Sequence, residues 1–466
     1  MLLFWHRRDL RVADNRGLAA AADRDTVVPV FVFDPVVLEH ASPPRVAFML
    51  DALEQLRAAY RDRDSDLLTV RGNPTDRLPE VAAAHDADGV LYNEDYSGLA
   101  RRRDAAVEEA LAAEGIDAEA FEDQLLHEPG SITTNEGTHY SVFTYFWRKW
   151  RDRPKPDSVP APSADAFAGC SGSPLPTNED LGFDAPSATI PAAGTQPARA
   201  RLASFCDGPI YDYEDRRDDP AADGTSRLSA QLKWGTIGIR EVYERTAAAH
   251  EQAPDEAARE SVEEFQSQLA WREFYTHVLR FNPSVVTENF KSYENPIEWH
   301  DDPEALEAWQ DGETGYPIVD AGMRQLREEA WMHNRVRMIV ASFLTKDLLL
   351  DWRAGYDWFR RRLVDHDTAN DNGGWQWAAS TGTDAQPYFR IFNPMTQGER
   401  YDPDAEYIKT YVPELEGVPA DAIHSWNELA VDRRRDLAPA YPDPIVDHAE
   451  RREAALAMFE AARGDA

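Results

Sequence analysis

Four short apolar runs mark the N-terminal part of the chain: Leu2–Trp5, Val27–Phe33, Leu67–Val70 and Gly89–Tyr92. They are continuous rather than alternating, the pattern of strands covered on both faces. Between them, Arg45–Tyr60 sets Val46, Met49, Leu50, Leu53 and Leu56 at helical spacing, and Leu99–Ala113 behaves similarly. Strand alternating with helix predicts an α/β domain over residues 1–130 with a doubly wound, Rossmann-like parallel sheet. Ligands of such sheets sit beyond the carboxyl ends of the strands. Residues 151–200 hold nine prolines among Ala, Ser and Asp, so 131–200 reads as a long connector. From residue 201 to 466 the strand pattern is gone. Amphipathic helices are expected over Ser261–Leu279, Ile318–Glu328, Met332–Leu350 and Arg353–Leu363, making this domain all-α.

Composition changes this picture in one respect. The formal charge is −35, a balance that ordinarily argues against nucleic acid as a partner. Here the acidity is spread along the whole chain with little Lys, which suits a protein dissolved in very high salt, where repulsion among surface carboxylates is screened within a few ångströms. Global charge therefore excludes little, and local basic clusters are judged separately. Two cysteines, Cys170 and Cys206, give neither a disulfide framework nor metal-ligand spacing. The first residues carry no signal-peptide pattern, and no apolar run is long enough to span a membrane, so a cytoplasmic protein is expected.

Nine of the thirteen tryptophans lie from Trp271 onward. Four segments of this half carry candidate chemistry. Gly224-Thr-Ser-Arg-Leu-Ser229 opens a helix with hydroxyls at Thr225, Ser226 and Ser229, which serves as an anion cradle or simply as a cap. Gln268, Trp271, Arg272 and Tyr275 share one helix face, either a wall for a planar polar ligand or a core helix with an Arg–Glu pair. In His333-Asn-Arg-Val-Arg-Met338, Asn334, Arg337 and Met338 share a face, while Arg335 and Arg337 suit phosphates or acids. Asp365-His366-Asp367 precedes Asn370-Asp-Asn-Gly-Gly-Trp-Gln-Trp377, and two carboxylates around a histidine leave a metal site open.

Together these segments, with Phe4-Trp-His-Arg-Arg-Asp-Leu-Arg11, Thr314-Gly-Tyr-Pro-Ile-Val-Asp-Ala321 and Gly373-Gly-Trp-Gln-Trp-Ala-Ala-Ser-Thr-Gly382, resemble the photolyase/cryptochrome family. The resemblance runs along nearly the whole chain and is nearest to microbial, haloarchaeal-like class I cyclobutane pyrimidine dimer photolyases. It implies FAD held in the helical domain, with Tyr213, Thr225, Ser226, Arg227, Leu228 and Ser229 on the phosphates. Asp365, His366 and Asp367 then lie toward the flavin and ribose, with Arg337 paired to Asp365, so no metal is implied. On the substrate side it implies Trp271 and Trp377 flanking an extruded dimer, with Gln268, Tyr275, Asn334, Arg335, Met338 and Arg390 around it. A dimer inside a duplex cannot reach a buried cofactor, so extrusion is required, and aromatic walls replace the lost stacking. Trp299, Trp352 and Trp375 match the family's electron-transfer triad. The implied activity is light-driven splitting of pyrimidine dimers in ultraviolet-damaged DNA by a monomer that needs no protein partner.

Three positions depart from the pattern. Asp371 stands where most class I relatives have Asn facing the flavin N5, as in plant cryptochromes. Gln268 stands where many have Glu, and His366 where Gly is frequent. These support an alternative reading as a cryptochrome-type blue-light receptor with little or no repair. The N-terminal domain is expected to hold an antenna chromophore. Leu99-Ala100 replaces the Asn-Glu pair of folate-binding relatives, and Tyr96-Ser-Gly-Leu-Ala-Arg-Arg-Arg103 favours 8-hydroxy-5-deazaflavin over folate. DNA contact is expected from Arg335, Arg390, Arg217 and Trp147-Arg-Lys-Trp-Arg151.

Overall fold

The computed structural model describes residues 1–464. The chain forms two compact units, one of Met1–Glu214 with Ser226–Pro283, the other of Asp215–Thr225 with Ser284–Ala466.

The first unit is built on five parallel strands, β1 (Leu2–His6), β2 (Val27–Phe33), β3 (Leu68–Arg71), β4 (Gly89–Asn93) and β5 (Asp117–Phe121), in the order β3-β2-β1-β4-β5. The expected doubly wound parallel sheet is present. The order reverses at β1, so the crevice for a ligand lies between the carboxyl ends of β1 and β4. β5 went unpredicted because its sequence, Asp-Ala-Glu-Ala-Phe, is that of a half-exposed edge strand. Among its helices are α1 (Arg16–Ala22), α2 (Pro43–Arg61), α3 (Pro74–Ala84), α4 (Gly98–Ala113), α5 (Phe143–Asp152) and α6 (Glu256–Phe281), and Ile239–Gln252 carries Arg240. α6 starts earlier than the apolar spacing predicts, at Asp255, whose carboxylate accepts the Ala258 N–H.

Charged side chains inside this unit are paired. Arg240 donates to Asp14 at 2.5 Å and to Asp123 at 2.6 Å, and Arg11 donates to the other Asp123 oxygen at 2.5 Å. One buried carboxyl is different. Glu273 on α6 accepts the Leu126 N–H at 3.0 Å, and burial pushes its pKa up to about 8, above the ordinary 4.5. A carboxyl raised in the folded state stabilises it fully below the ordinary carboxyl range and loses that contribution as pH climbs through about 8. Nearby His127 and His277 are held at about 4 by burial, and their opposite pH dependence is common to wild type and variant. Urea unfolding of wild type and Glu273→Gln, at about pH 5 and about pH 8.5, is therefore expected to show wild type losing ground to the variant as pH rises. Parallel pH profiles would contradict this assignment.

The second unit is all-helical. Its main helices are α7 (Pro303–Asp311), α8 (Pro317–Glu329), α9 (Asn334–Ser342), α10 (Trp352–Arg362), α11 (Thr368–Ala378) and α12 (His448–Arg463). The single helix expected over Met332–Leu350 is not formed. α9 ends at Ser342, Phe343–Asp347 is a π-helical turn, and Leu349 takes a positive φ of 58°. The wider turn lets two fully buried polar side chains reach partners: Lys346 donates to Ser380 Oγ at 2.9 Å, and Asp347 pairs with His448 Nδ1 at 2.5 Å. Among the described residues no helix is long and apolar enough to cross a membrane.

Candidate functional site

The second unit brings the Asp365 segment and α9 together. Arg337, on the first turn of α9, donates from Nη2 to Asp365 Oδ2 at 2.8 Å, and its Nη1 lies 3.6 Å from Asp371 Oδ1. Burial alone would lower the arginine pKa, but Asp365 and Asp371 outweigh it and raise it. His366 Nδ1 lies 2.6 Å from Asp371 Oδ2. Asp367 acts on its own helix, where its Oδ1 accepts the Ala369 and Asn370 N–H groups, both at 3.1 Å, and so caps α11. The other Asp365 oxygen, Oδ1, is buried and has no hydrogen-bond partner among the described residues. A carboxylate oxygen left in that state is costly, and a bound group carrying N–H or O–H donors satisfies it. The flavin ring and the ribose of FAD carry such donors, so the residues present fit FAD.

Trp375 and Trp352 are buried in the core of this unit, and Trp299 is partly buried against it. Trp375 packs edge-on against Phe359 at 5.0 Å and Trp309 at 6.0 Å. Gly355 of α10 makes room for its indole, since a Cβ there would stand 2.0 Å from the ring. Trp309 has no motif around it, although it is fully buried beside Trp375 and donates to Val340 O at 3.1 Å. Nothing in its own neighbourhood marks it, because a lone Trp at helical spacing is ordinary core. Trp352 donates to Asn289 Oδ1 at 2.9 Å, and Trp299 meets Phe459 edge-on at 5.9 Å. Asn334 is exposed at the start of α9, 3.8 Å from Met338 Sδ. Arg335 is already engaged: it donates to Asp218 at 2.5 Å and lies over the Tyr401 ring. Trp377 is partly buried beside Phe392, and Arg390 is exposed.

In the first unit, α6 carries Gln268, Trp271, Arg272 and Tyr275. The Trp271 indole stacks on Phe143 of α5 with centroids 3.7 Å apart and lies 5.4 Å from the Tyr275 ring. Phe143 was missed, though Phe143, Phe146 and Trp147 at spacings of three and four signal an aromatic helix face. Gln268 donates to Glu264 Oε1 and Ser267 Oγ, both at 2.9 Å, and Arg272 donates to Gln124 O at 2.9 Å. Arg272 thus ties a loop to the helix. Tyr213 is buried edge-on to Phe205 and Phe265. The short helix Ser229–Trp234 follows Leu228, so Thr225 and Ser226 stand in the loop ahead of its first turn, where Ser226 Oγ accepts the Leu228 N–H at 3.4 Å. Arg227 takes a positive φ of 48° in that loop. Of the cluster over residues 147–151, Arg148 and Lys149 line an open pocket of about 410 Å³ with Ser131, Thr133, Asp152 and Arg153, while Arg151 pairs with Asp152 at 3.1 Å.

Two family descriptions match the chain: DNA photolyase over residues 2–163 and FAD binding domain of DNA photolyase over residues 265–461. A deoxyribodipyrimidine photo-lyase of Halobacterium salinarum is 64% identical, with 100% of both chains covered. A class III photolyase from Agrobacterium tumefaciens has a TM-score of 0.91 at 35% identity, covering 99% of this chain and 98% of that one. An archaeal photolyase from Sulfolobus tokodaii, solved with two FAD molecules and a suggested novel light-harvesting cofactor, has a TM-score of 0.83 at 33% identity, with 99% of each chain covered.

Proposed function

The chain belongs to the DNA photolyase family, and on that premise we propose that it is a deoxyribodipyrimidine photo-lyase, which repairs cyclobutane pyrimidine dimers in DNA with light. The observation that carries this is the full-length match at 64% identity to an enzyme of that name. The blue-light receptor alternative has less support, since it rests on three departing positions within that match. The haloarchaeal relative also agrees with adaptation to high salt, the source of the −35 charge.

FAD, when bound, supplies the light-driven electron that opens the dimer. The chain's own residues hold, orient and exclude water. Arg337, Asp365, His366, Asp367 and Asp371 are the residues that hold the ring and ribose side. This reading is supported by the Arg337–Asp365 pair and by the unpartnered Asp365 Oδ1. Tyr213 and Thr225 to Ser229 take the phosphate side, where Arg227's positive φ turns the loop. Trp271 and Trp377, with Gln268, Tyr275, Asn334, Arg335, Met338 and Arg390, contact the extruded dimer. Stacking on an indole is worth about 1–3 kcal/mol per base, so Trp271→Ala and Trp377→Ala are each expected to weaken binding of a thymine-dimer oligonucleotide by about 5- to 150-fold while leaving undamaged DNA unaffected. A filter-binding or anisotropy titration reads this, and equal losses on damaged and undamaged strands would contradict the assignment.

Trp299, Trp352 and Trp375 form the electron relay, a reading supported by their packing in one unit, Trp375 and Trp352 in its core and Trp299 partly buried against it. Trp375→Phe is expected to abolish photoreduction of the oxidised protein while repair by chemically reduced protein persists. Normal photoreduction in this variant would remove Trp375 from the relay. The antenna is 8-hydroxy-5-deazaflavin, held at the crevice between the carboxyl ends of β1 and β4. Reconstitution with deazaflavin and with folate, read by energy transfer to FAD, tests that choice.

A further inference from the structure

Three features of His366 go beyond holding a cofactor. Its Nδ1 lies 2.6 Å from Asp371 Oδ2, and both side chains are about nine-tenths buried, at 10% and 9% exposure. The pair bridges the turn before α11 and its first turn, so Asp371 is approached by imidazole on one oxygen and by Arg337 on the other. The groups facing the pair are Arg337 from α9, Tyr356 edge-on from α10 at 5.7 Å, and Asp365 and Asp367 beside it in sequence. One arginine thus stands among three carboxylates and one imidazole. The short Nδ1···Oδ2 contact, nine-tenths closed off from water, sets an imidazole nitrogen and a carboxylate oxygen close enough to share one proton.

We propose that His366 is the proton reservoir for Asp371, so that the two side chains together deliver a proton to the flavin ring when it takes up an electron. The inference rests on the family reading, which sets Asp371 beside flavin N5, and His366 acts through Asp371 as a positioning residue. The balance is simple. One electron comes from an external thiol or dithionite, and one proton leaves the Nδ1···Oδ2 bridge for the ring nitrogen. The pair is left one unit more negative and regains its proton from water.

The test uses the oxidised, flavin-loaded full chain with a thiol donor. After a light flash, the rise of the protonated one-electron-reduced flavin is followed by its long-wavelength absorbance. His366→Gly is expected to slow that rise at least tenfold, within the range of a lost general acid, and added imidazole to restore it. His366→Gln keeps a hydrogen bond to Asp371 but carries no exchangeable acid, so it is expected to show the same loss in a protein that folds as wild type does. Asp371→Asn is expected to be slow and beyond rescue by imidazole. Unchanged protonation rates in flavin-loaded His366→Gln, or a slow His366→Gly that imidazole leaves slow, would overturn the inference. A wild-type protein that binds no flavin would instead overturn the family reading on which it stands.

Discussion

Asp365→Ala is expected to leave the protein purified without its flavin. The wild-type carboxylate is buried, receives Arg337 at 2.8 Å, and offers its remaining oxygen to no other described residue. Truncation removes that acceptor and strands a largely buried guanidinium, whose remaining carboxylate, Asp371, lies 3.6 Å away. A lost hydrogen bond to a charged acceptor costs about 1.5–3 kcal/mol, which is about 10- to 150-fold in affinity, and the stranded arginine weakens the site's own structure besides. The flavin-to-protein absorbance ratio after gel filtration reads the effect directly. Arg337→Ala is expected to do the same, because each residue strands the other. Stoichiometric flavin in both variants would mean that this pair does not hold the cofactor.

Arg240→Ala is expected to lower the stability of the first unit by about 3–5 kcal/mol. Its guanidinium is fully buried and serves two carboxylates from distant parts of the chain, Asp14 after β1 and Asp123 after β5. Removal takes from Asp14 its 2.5 Å arginine partner and leaves Asp123 with Arg11. Against a total of about 5–15 kcal/mol for a domain, such a loss is a large fraction. Because the network is buried, the effect is expected to persist in molar salt, where exposed pairs are screened. Arg24, which pairs with Glu119 at the surface with both side chains 47% exposed, provides the contrast, and Arg24→Ala is expected to change little. Chemical denaturation of the two variants in high salt checks this, and equal effects would contradict it.

The parts of the fold that sequence disclosed were those whose burial is uniform along an element. Val27–Phe33 is apolar throughout because every residue of β2 is buried, and β5 was invisible because its residues alternate between half-buried and exposed. The break after Ser342 was equally hidden. Lys346 and Asp347 fall on a helical apolar pattern, and only the tertiary partners Ser380 and His448 explain the π-helical turn. At the candidate site, chemistry was legible where a motif is local, as in Asp365-His366-Asp367. Arg337 meets Asp365 as the resemblance implied. What spacing could not give was the second partner of each group: Phe143 under Trp271, Asp218 on Arg335, and Asp371 on His366. Each joins segments or rotamers that no one-dimensional pattern encodes.

One measurement bears most directly on the central claim, that this chain splits pyrimidine dimers with light. The purified protein is chemically reduced, mixed with a thymine-dimer oligonucleotide in high salt, and illuminated with blue light while the thymine absorbance band is followed. Recovery of that absorbance in the light, with none in the dark, is the predicted result; a flavin-loaded, reduced protein that leaves the band unchanged under illumination would contradict the claim.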